Sequence, residues 1–587
     1  MGNDLATFPD FPAEIRAPVG TTYGVSGFQI HFASKDILTP GDQPDVLVAM
    51  NPAALKVNLR DLKVGGLLIM NSGAFTTGNL KKAGYAGDPR QDGSLDKFRK
   101  LEIDISKMTL AAVNQLNLGA RDALRCKNIW TLGLLYWLFD RERQPTVDWL
   151  KQKFQKEPKL GDANIVALNA GHAYGETAEL PNDLRIYRVP KAHLAPGEYR
   201  NITGNEAIAW GLVAGGQLAG LKLLLGSYPI TPASSLLHTL SGLKHFGVTT
   251  FQAEDEIGAV CAAIGASFAG QLGMTSTSGP GLALKTEAIG LAVVTELPLV
   301  VIDVQRAGPS TGMPTKTEQS DLLQAVHGRN GDTPVAVLAA CTPSDCFEIA
   351  VEAVRIATKY MTPVIVLSDG YLANGAEPWR IPKLADFKPF PVHFRTETSG
   401  FHPFLRDETT LARTWALPGT AGLEHRIGGL EKDYDSGNIS YDSDNHHRMT
   451  KTRVAKIAGI ANDIPEQTFA LGDETDALLV VGWGSTFGAI QQAVRNVRDD
   501  GLKVAHLHVR YMCPFPRNLG ALLQRFSKIV VPEMNNGMLV KLLRAEFLVP
   551  AEGLNKIAGQ PFMVAEIEHD IRARLGTNGS ASGRTLQ

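Results

Sequence analysis

The chain has 587 residues, of which 44% are hydrophobic, and its formal net charge at pH 7 is −2. This length predicts about three or four domains that each bury a core. The small net charge excludes a long-range field that would attract nucleic acid or an anionic membrane. The start of the chain lacks the basic and apolar segments of a secretory signal, so we expect a cytoplasmic protein without nucleic-acid or membrane partners.

The first region alternates predicted strands and helices. Short apolar runs at residues 45–50 and 67–71 predict buried strands of a parallel sheet. The loop that precedes them contains two glycines, Gly24 and Gly27. Such a pair is typical of a tight turn or of a phosphate-binding loop, and we favour the turn.

A second α/β region follows a polar boundary at residues 192–200. A capping sequence that starts at Thr203 predicts a helix. Apolar runs at residues 299–304 and 363–368 are rich in branched side chains and predict strands that are buried on both faces. This pattern indicates a doubly wound sheet.

The composition changes between residues 385 and 455 to polar residues, glycine and proline with little periodicity. A segment of this kind is a functional lid, an inter-subunit arm or a disordered linker. A last α/β domain is predicted from about residue 475, and the tail after Gly576 is expected to fray. The predicted strands of that domain are residues 477–482, 506–509 and 529–531.

The cysteines indicate a reducing compartment. Their number is odd and they form no C-x-x-C pair, which excludes a disulfide framework and the usual metal-binding spacing. Cys341 and Cys346 are close in sequence, but the residues between them are typical of a helix start, so we expect core cysteines. The sequence therefore predicts no metal ligands and no iron–sulfur cluster on this chain. The five cysteines are Cys126, Cys261, Cys341, Cys346 and Cys513.

Two prolines flank a hydroxyl group in the segment Tyr228-Pro229-Ile230-Thr231-Pro232. The prolines restrict the backbone, so the Thr231 hydroxyl is held in place and can serve a binding site. The same hydroxyl can instead cap a helix that begins at Pro232. These residues alone leave both roles open.

Three acidic residues, Glu254, Asp255 and Glu256, precede a helical pattern of small and apolar residues. Acidic residues in a first helical turn are stabilised by the helix dipole, and this is the simpler interpretation from spacing alone. A carboxylate partly removed from water at that position is equally suited to exchange protons with a ligand.

Together with the turn at residues 276–281 and the loop at residues 308–319, these segments resemble the 2-oxoacid:ferredoxin oxidoreductases. The resemblance covers most of the chain and is nearest to the alpha subunit with a fused gamma domain, as in 2-oxoglutarate:ferredoxin oxidoreductase. It implies an α/β fold with several doubly wound domains. The implied domains are a gamma domain at 1–195, a thiamine-pyrimidine-binding domain at 196–385, an irregular linker or active-site arm at 386–460 and a transketolase-C-like α/β domain at 461–587.

The resemblance also assigns roles to residues. Glu256 matches the glutamate that hydrogen-bonds the pyrimidine ring of thiamine diphosphate and exchanges a proton with it. Thr231 and Arg306 match the residues that bind the carboxylate of the 2-oxo acid, and with Glu256 they are the expected catalytic residues. The expected cofactor-binding residues are Pro229, Ile230, Glu256 and Gly279.

A substrate with a second carboxylate needs a further cation. Lys316 and His425 are the candidates that we expect to bind it, next to Thr231 and Arg306. The group His446-His447-Arg448 is either another cationic contribution or a solvated loop.

The sequence lacks one motif of thiamine enzymes. They hold magnesium and the diphosphate with a Gly-Asp-Gly motif, which this chain does not contain. The resemblance therefore implies that a beta subunit supplies Mg²⁺, the diphosphate site and a [4Fe-4S] cluster in an (alpha-beta)2 heterotetramer, and that the chain alone is inactive.

The implied reaction is the oxidative decarboxylation of 2-oxoglutarate with coenzyme A to succinyl-CoA and CO2, or the reverse carboxylation, with ferredoxin as the electron carrier. The alternatives are the same reaction on pyruvate or branched-chain 2-oxo acids, or a non-redox thiamine enzyme. A non-redox enzyme would need its own diphosphate motif.

Overall fold

The computed structural model describes residues 3–11, 25–34, 37–178, 180 and 187–576. The chain forms two compact units. Unit 1 comprises Met1–Asp4, Ile15–Ile37 and Gly41–Leu194, and unit 2 comprises Leu5–Glu14, Leu38–Pro40 and Ala195–Gln587. The first strand, β1, spans Asp4–Asp10.

Unit 1 is built on a parallel sheet with the order β3-β4-β5. Every residue of β4 is buried, with Leu67 and Ile69 in one apolar cluster and Leu68 and Met70 in another. The two strands that the sequence predicts here are confirmed. Gly27 begins β2, but Gly24 lies outside the described residues, so the tight turn stays a prediction.

The strands of unit 1 are β2 Gly27–Ala33, β3 Val46–Ala49, β4 Leu67–Asn71 and β5 Arg99–Ile103. Its helices are α1 Pro52–Asn58, α2 Thr77–Lys82, α3 Ile105–Val113, α4 Ala120–Arg125, α5 Lys127–Leu138, α6 Gln144–Lys153 and α7 Pro158–Thr177.

Strands β6 to β19 belong to unit 2. The first group is β6 Tyr199–Thr203, β7 Leu223–Ser227, β8 Val248–Gln252, β9 Leu272–Thr277, β10 Leu299–Gln305, β11 Ala336–Ala339, β12 Pro363–Asp369 and β13 Ala376–Arg380. The second group is β14 Phe469–Leu471, β15 Leu478–Trp483, β16 Val504–Val509, β17 Tyr511–Cys513, β18 Ile529–Glu533 and β19 Ala551–Asn555.

The helices of unit 2 are α8 Gly204–Ala219, α9 Ser234–Ser241, α10 Glu256–Phe268, α11 Gly279–Leu284, α12 Thr286–Val294, α13 Leu322–His327 and α14 Asp345–Tyr360. They continue with α15 Gly370–Asn374, α16 Ser443–Gly459, α17 Phe487–Asp499, α18 Leu519–Leu523, α19 Met538–Phe547 and α20 Val564–Arg574.

The larger sheet of unit 2 has the strand order β17-β11-β12-β10-β9-β7-β8. All its pairings are parallel except that of the edge strand β17 with β11. In β10, Val300 and Ile302 belong to one core cluster, whereas Leu299 and Val301 belong to another. Both faces of the sheet are therefore covered, and the predicted doubly wound architecture is confirmed.

The second sheet has the order β14-β16-β15-β18-β19 and is parallel apart from its edge strand β14. Each strand predicted for this region is present, and helix α17 follows β15 as expected. Strand β17 follows β16 by two residues yet pairs with β11, so it connects the two sheets of unit 2. The predicted frayed tail after Gly576 lies outside the described residues.

The segment between the two sheets is ordered by hydrogen bonds in place of long regular elements. The main chain forms two isolated antiparallel β-bridges, one between Arg406 and Arg413 and one between Lys432 and Ile439. The expectation of irregular structure up to residue 460 is wrong at its end, because Ser443–Gly459 is helix α16. Two charged residues, Arg453 and Lys456, lie on the buried face of that helix, so the apolar periodicity is weak in the sequence.

A buried ion network attaches this segment to the larger sheet's helices. Glu296 follows α12 and is 1% exposed. One of its carboxylate oxygens accepts from Arg406 and the other from Lys456, while Arg413 Nε donates to its main-chain oxygen at 3.0 Å. Burial alone would raise the pKa of the Glu296 carboxyl, but the charges of Lys456 and Arg406 hold it below its ordinary value.

Cys341 and Cys346 lie close to the start of helix α14. All five cysteines are free; Cys346 is buried in α14 and Cys341 is half-buried. Burial raises the pKa of both thiols. In the described part of the chain, no helix is both long and apolar enough to cross a membrane.

We expect Glu296→Gln to lower the free energy of unfolding by about 3–5 kcal/mol, because it leaves buried cations without their carboxylate. Calorimetry of the transition that melts the larger sheet measures this loss. The control is Glu397→Gln, whose carboxylate is 73% exposed in the same segment and should leave that transition unchanged. Equal transitions for both variants would show that the network does not hold the segment.

Candidate active site

Thr231 and Arg306 meet at the carboxyl edge of the larger sheet. Arg306 directly follows β10, and its Nη1 donates to the main-chain oxygen of Thr231 at 2.8 Å. Arg306 is 7% exposed and its Nε has no hydrogen-bond partner among the described residues, whereas Thr231 is exposed. The guanidinium is therefore oriented by the protein and keeps donor capacity for a carboxylate ligand.

Thr231 does not cap the helix that follows it. Helix α9 begins at Ser234, and its N-cap residue Ala233 provides no side-chain cap. The Ser234 hydroxyl accepts from the Ile230 amide at 2.9 Å and donates to the Ile230 carbonyl at 3.0 Å. This turn delays the helix, so the interpretation of Thr231 as the cap of a helix that begins at Pro232 is wrong.

Glu256 is the first residue of α10. The helix N-terminus is capped by its neighbour Asp255, whose Oδ1 accepts from the Gly258 amide at 2.8 Å. The structural role that the sequence offers for this acidic cluster is thus filled by Asp255. Glu256 is half-buried. Its carboxylate is available for a different role.

Three side chains lie close to the position that a Cβ atom of Gly281 would occupy, near the start of α11. The hydroxyls of Tyr228 and Thr277 are hydrogen-bonded at 3.0 Å. A Cβ at Gly281 would lie 2.1 Å from the Tyr228 hydroxyl, 2.2 Å from the Thr277 hydroxyl and 3.0 Å from Cγ of Glu256. Burial raises the pKa of Tyr228, which therefore stays protonated at neutral pH.

Lys285 lies behind Glu256, between α11 and α12. It is 0% exposed, and its Nζ donates to the main-chain oxygen of Glu256 at 2.8 Å. The same ammonium lies 4.8 Å from the centre of the Tyr228 ring. Burial lowers the pKa of Lys285 to about 8, although the charges of Glu256 and Asp255 oppose this shift.

Two further carboxyl groups are buried close to Arg306. Asp303 lies in β10, and its carboxyl group adjoins that of Asp321. Burial and the neighbouring Asp321 raise the pKa of Asp303 well above its ordinary value. Asp321 accepts from the Ser320 hydroxyl at 3.1 Å, and burial raises its pKa as well. At neutral pH we expect Asp303 to be protonated, because two ionised carboxylates in this environment would repel each other.

Lys316 already has an anionic partner. Its Nζ lies 2.5 Å from Asp10 in strand β1, and both side chains are largely buried. The neighbouring Thr315 donates to the main-chain oxygen of Phe11 at 3.1 Å. The main-chain oxygen of Lys316 accepts from the amide of Ala307, which places the lysine backbone next to Arg306. The sequence gives no sign of this pair, because 306 residues separate its members.

The histidine candidates lie in the segment between the sheets. His425 Nδ1 is 2.8 Å from the carbonyl of Leu423, its ring packs edge-on against Phe401, and its Nε2 is buried without a partner among the described residues. His446 pairs with Glu431 on the exposed face of α16. The contacts found for His425 connect it to its own segment and not to Arg306 or Glu256.

The residues expected to bind the cofactor differ in their exposure. Phe251 and Ile257 lie close to Glu256 in sequence and are 48% and 51% exposed, and the acidic neighbours Glu254 and Asp255 are exposed as well. Of the other expected cofactor residues, Pro229 is exposed and Ile230 is half-buried after β7. Gly279 begins α11, where a Cβ would lie 2.5 Å from Asp321 Oδ1.

Three family models match the chain in sequence order. They are pyruvate ferredoxin/flavodoxin oxidoreductase at residues 1–174, the thiamine-diphosphate-binding domain of pyruvate flavodoxin/ferredoxin oxidoreductase at 217–442, and core domain II of pyruvate:ferredoxin oxidoreductase at 477–567. The 2-oxoglutarate oxidoreductase subunit KorA of Mycobacterium tuberculosis is 55% identical over 575 residues, or 98% of this chain and 87% of that protein. The chain belongs to the 2-oxoacid:ferredoxin oxidoreductase family.

Other members of this family support the same assignment. Subunit alpha of 2-oxoacid:ferredoxin oxidoreductase 1 from Aeropyrum pernix is 31% identical over 75% of this chain and 69% of that protein. The structure of 2-oxoglutarate:ferredoxin oxidoreductase from Magnetococcus marinus, with 2-oxoglutarate, coenzyme A and succinyl-CoA bound, aligns with a TM-score of 0.84 and 30% identity. The alignment covers 98% of this chain and 94% of that one. The predicted family and α/β fold class are confirmed, while the roles of individual residues stay predictions.

Several residues of the site were not singled out from the sequence. Lys285 is the single charged residue between positions 257 and 286. An isolated charged residue in an apolar run indicates a buried charge, and buried charges are candidates for functional sites. Asp303 has the same signal, since it interrupts the apolar strand β10. Asp10 has none, because only the folded chain brings it to Lys316.

We expect Gly281→Ala to lower kcat/KM by about 100-fold or more in the complex with the partner subunit. The new Cβ would displace the Tyr228 and Thr277 hydroxyls and press on Glu256, and a small misplacement of catalytic groups has effects of this size. Gly265→Ala in α10 is the control, because nothing lies within 4 Å of its Cβ position. A Gly281→Ala enzyme as active as the Gly265→Ala enzyme would remove these side chains from the site.

Proposed function

We propose that this chain is the alpha subunit, with a fused gamma domain, of a 2-oxoglutarate:ferredoxin oxidoreductase. The enzyme would convert 2-oxoglutarate and coenzyme A to succinyl-CoA and CO2, or run the reverse carboxylation, with electrons passing to or from ferredoxin. The observation that carries the proposal is the 55% identity with the M. tuberculosis 2-oxoglutarate oxidoreductase subunit over nearly the whole chain. The arrangement of Arg306, Thr231 and Glu256 at one sheet edge supports it.

In this proposal Glu256 holds the aminopyrimidine ring of thiamine diphosphate and exchanges a proton with its ring nitrogen. The cofactor, when bound, supplies the nucleophilic carbon and the electron sink for decarboxylation. The Tyr228 and Thr277 hydroxyls fix the space beside Glu256, with Gly281 allowing their close approach.

Arg306 and the Thr231 hydroxyl bind the carboxylate next to the 2-oxo carbon. Because Arg306 is buried, its interaction with a carboxylate is strengthened by the low local dielectric. The hydrogen bond from Arg306 to the Thr231 carbonyl fixes both residues before substrate binds, so little ordering remains to be done on binding.

The relatives are named as subunits, so a partner subunit is part of the enzyme. We assign Mg²⁺, the diphosphate site and a [4Fe-4S] cluster to this beta subunit, in an (alpha-beta)2 assembly that delivers electrons to ferredoxin. The missing Gly-Asp-Gly motif supports the division. Pyruvate and branched-chain 2-oxo acids are the competing substrates.

The distal carboxylate of 2-oxoglutarate needs a cation, and Lys316 is the candidate whose backbone adjoins Arg306. If Lys316 binds that carboxylate, Lys316→Met should lower kcat/KM for 2-oxoglutarate by about 10-fold or more and leave the value for pyruvate nearly unchanged. The measurement is kcat/KM for a panel of 2-oxo acids in the reconstituted complex, with coenzyme A and ferredoxin present.

Asp10→Asn is the matched variant, because it removes the same ion pair but keeps the Lys316 charge. It should leave 2-oxoglutarate turnover close to wild type. Equal losses with both substrates in both variants would mean that the pair only holds the loop. A wild-type preference for pyruvate over 2-oxoglutarate would overturn the proposed substrate.

A further inference from the structure

We propose that Lys285 is a positioning residue for Glu256: its ammonium fixes the main chain of Glu256 and supplies a positive charge directly behind the carboxylate that exchanges a proton with the pyrimidine ring. The inference rests on the proposed function of Glu256 and adds a residue to that site. Lys285 has no predicted contact with substrate, so its effect on the reaction passes through Glu256.

The geometry places Lys285 behind Glu256 and away from solvent. The lysine is fully buried at the junction of α11 and α12. Its ammonium makes one hydrogen bond that the structure shows, to the carbonyl of Glu256 at 2.8 Å, and faces the ring of Tyr228 at 4.8 Å. Both contacts are to residues of the candidate site.

A buried lysine is an unfavourable residue for packing alone at the junction of α11 and α12. Burying an ammonium costs more than one carbonyl and one aromatic face return, and a methionine of similar length would fill the same space without a charge. The presence of a buried ammonium at this position is explained if its charge acts on Glu256. The ammonium holds the main chain of Glu256 in place and sets a positive charge close to the carboxylate that meets the ring.

The groups around the ammonium define its titration. Glu256 and Cys261 face it from α10, Asp255 from the N-cap of that helix, and Tyr228 from the segment after β7. Burial lowers the pKa of Lys285 to about 8, against the opposing charges of Glu256 and Asp255. The positive charge is therefore present below about pH 8 and lost above it.

The loss of the Lys285 charge is expected to affect activity and stability in opposite directions as the pH rises. Because the folded-state pKa lies below that of an unfolded lysine, the unfolded chain binds more protons between about pH 8 and 10.5, and the contribution of Lys285 to stability rises over that range. A loss of activity above pH 8 that comes from Lys285 is thus not a loss of folding at this site.

The test compares wild type, Lys285→Met and Lys285→Arg in the complex reconstituted with the partner subunit. The measurements are kcat and KM for 2-oxoglutarate from pH 6.5 to 9.5, and the affinity for thiamine diphosphate by calorimetry over the same range. In wild type we expect kcat to fall above about pH 8 and thiamine affinity to fall with it.

Lys285→Met should lower kcat by about 10-fold or more at pH 7, change KM by less than about 3-fold, and remove the alkaline limb from both profiles. It should also bind thiamine diphosphate at least about 5-fold more weakly at pH 7, with no difference from wild type at pH 9.5. Lys285→Arg keeps its charge throughout, so its limb should move above pH 9.5.

Lys432→Met is the matched control. Lys432 is also almost fully buried and donates to main-chain oxygens, those of Gly428 at 3.0 Å and of Leu430, but it has no contact with Glu256. It should keep the wild-type kcat profile and thiamine affinity. A purely structural role of Lys285 would make the two methionine variants alike.

The proposal is overturned if Lys285→Met keeps the wild-type kcat and alkaline limb. It is also overturned if the wild-type profiles are flat from pH 7 to 9.5, a result that does not depend on any variant folding. Glu256→Gln in the same series separates two failures. If that variant is inactive while Lys285→Met behaves as wild type, only the role of Lys285 is wrong; if Glu256→Gln is also active, the proposed role of Glu256 fails.

Discussion

The parallel pairing of β7, β9 and β10 is the constraint on which the candidate site depends. Parallel strands end at the same edge of a sheet, so the residues that follow them are brought together although they are far apart in sequence. Thr231 follows β7, Gly279 follows β9 and Arg306 follows β10. Shifting one of these strands in register would separate the Arg306 guanidinium from the Thr231 carbonyl.

The same edge concentrates buried charge. Arg306, Lys285 and Asp303 are all nearly or fully removed from water, and Arg306 and Lys285 have fewer hydrogen bonds than their polar atoms can make. Such groups are costly, and the two apolar clusters on either face of the sheet provide the stability that offsets them. Buried charges of this kind are concentrated at functional sites, which is why we propose this edge as the site.

The segment between the sheets has a different basis for its order. It has little regular structure before α16, and it is attached through the Glu296 carboxylate to Arg406 and Lys456. Removing three charged groups from water is offset here by direct pairing on both carboxylate oxygens. The segment that contains His425 thus has a defined path in the described chain.

The sequence predicted β10 and β12 of the larger sheet and β15, β16 and β18 of the second sheet, because continuous branched apolar runs such as residues 299–304 have few alternatives to a buried strand. The family followed from motifs, which also singled out Thr231, Glu256 and Arg306; the strands β7 and β8 that precede Thr231 and Glu256 were not among the predicted ones. Local turn chemistry was harder, since α9 begins at Ser234, whose hydroxyl bonds Ile230, and Thr231 does not cap it.

Two other features were beyond sequence patterns. Helix α16 was missed because Arg453 and Lys456 occupy its buried face, where periodicity arguments expect apolar residues. The partner of Lys316 is the distant Asp10, and no local rule relates them. Contacts of this kind depend on the complete fold, which pattern and composition do not specify.

The central claim is that Glu256 is the carboxylate that serves the cofactor. Its most direct test is the decarboxylation rate of Glu256→Gln in the reconstituted complex, measured beside Glu254→Gln, an exposed glutamate two residues earlier. The amide has nearly the same volume but cannot exchange the proton, so we predict intact assembly and a rate lower by about 10²- to 10⁴-fold, with Glu254→Gln close to wild type. A Glu256→Gln complex within a few-fold of wild type would contradict the account.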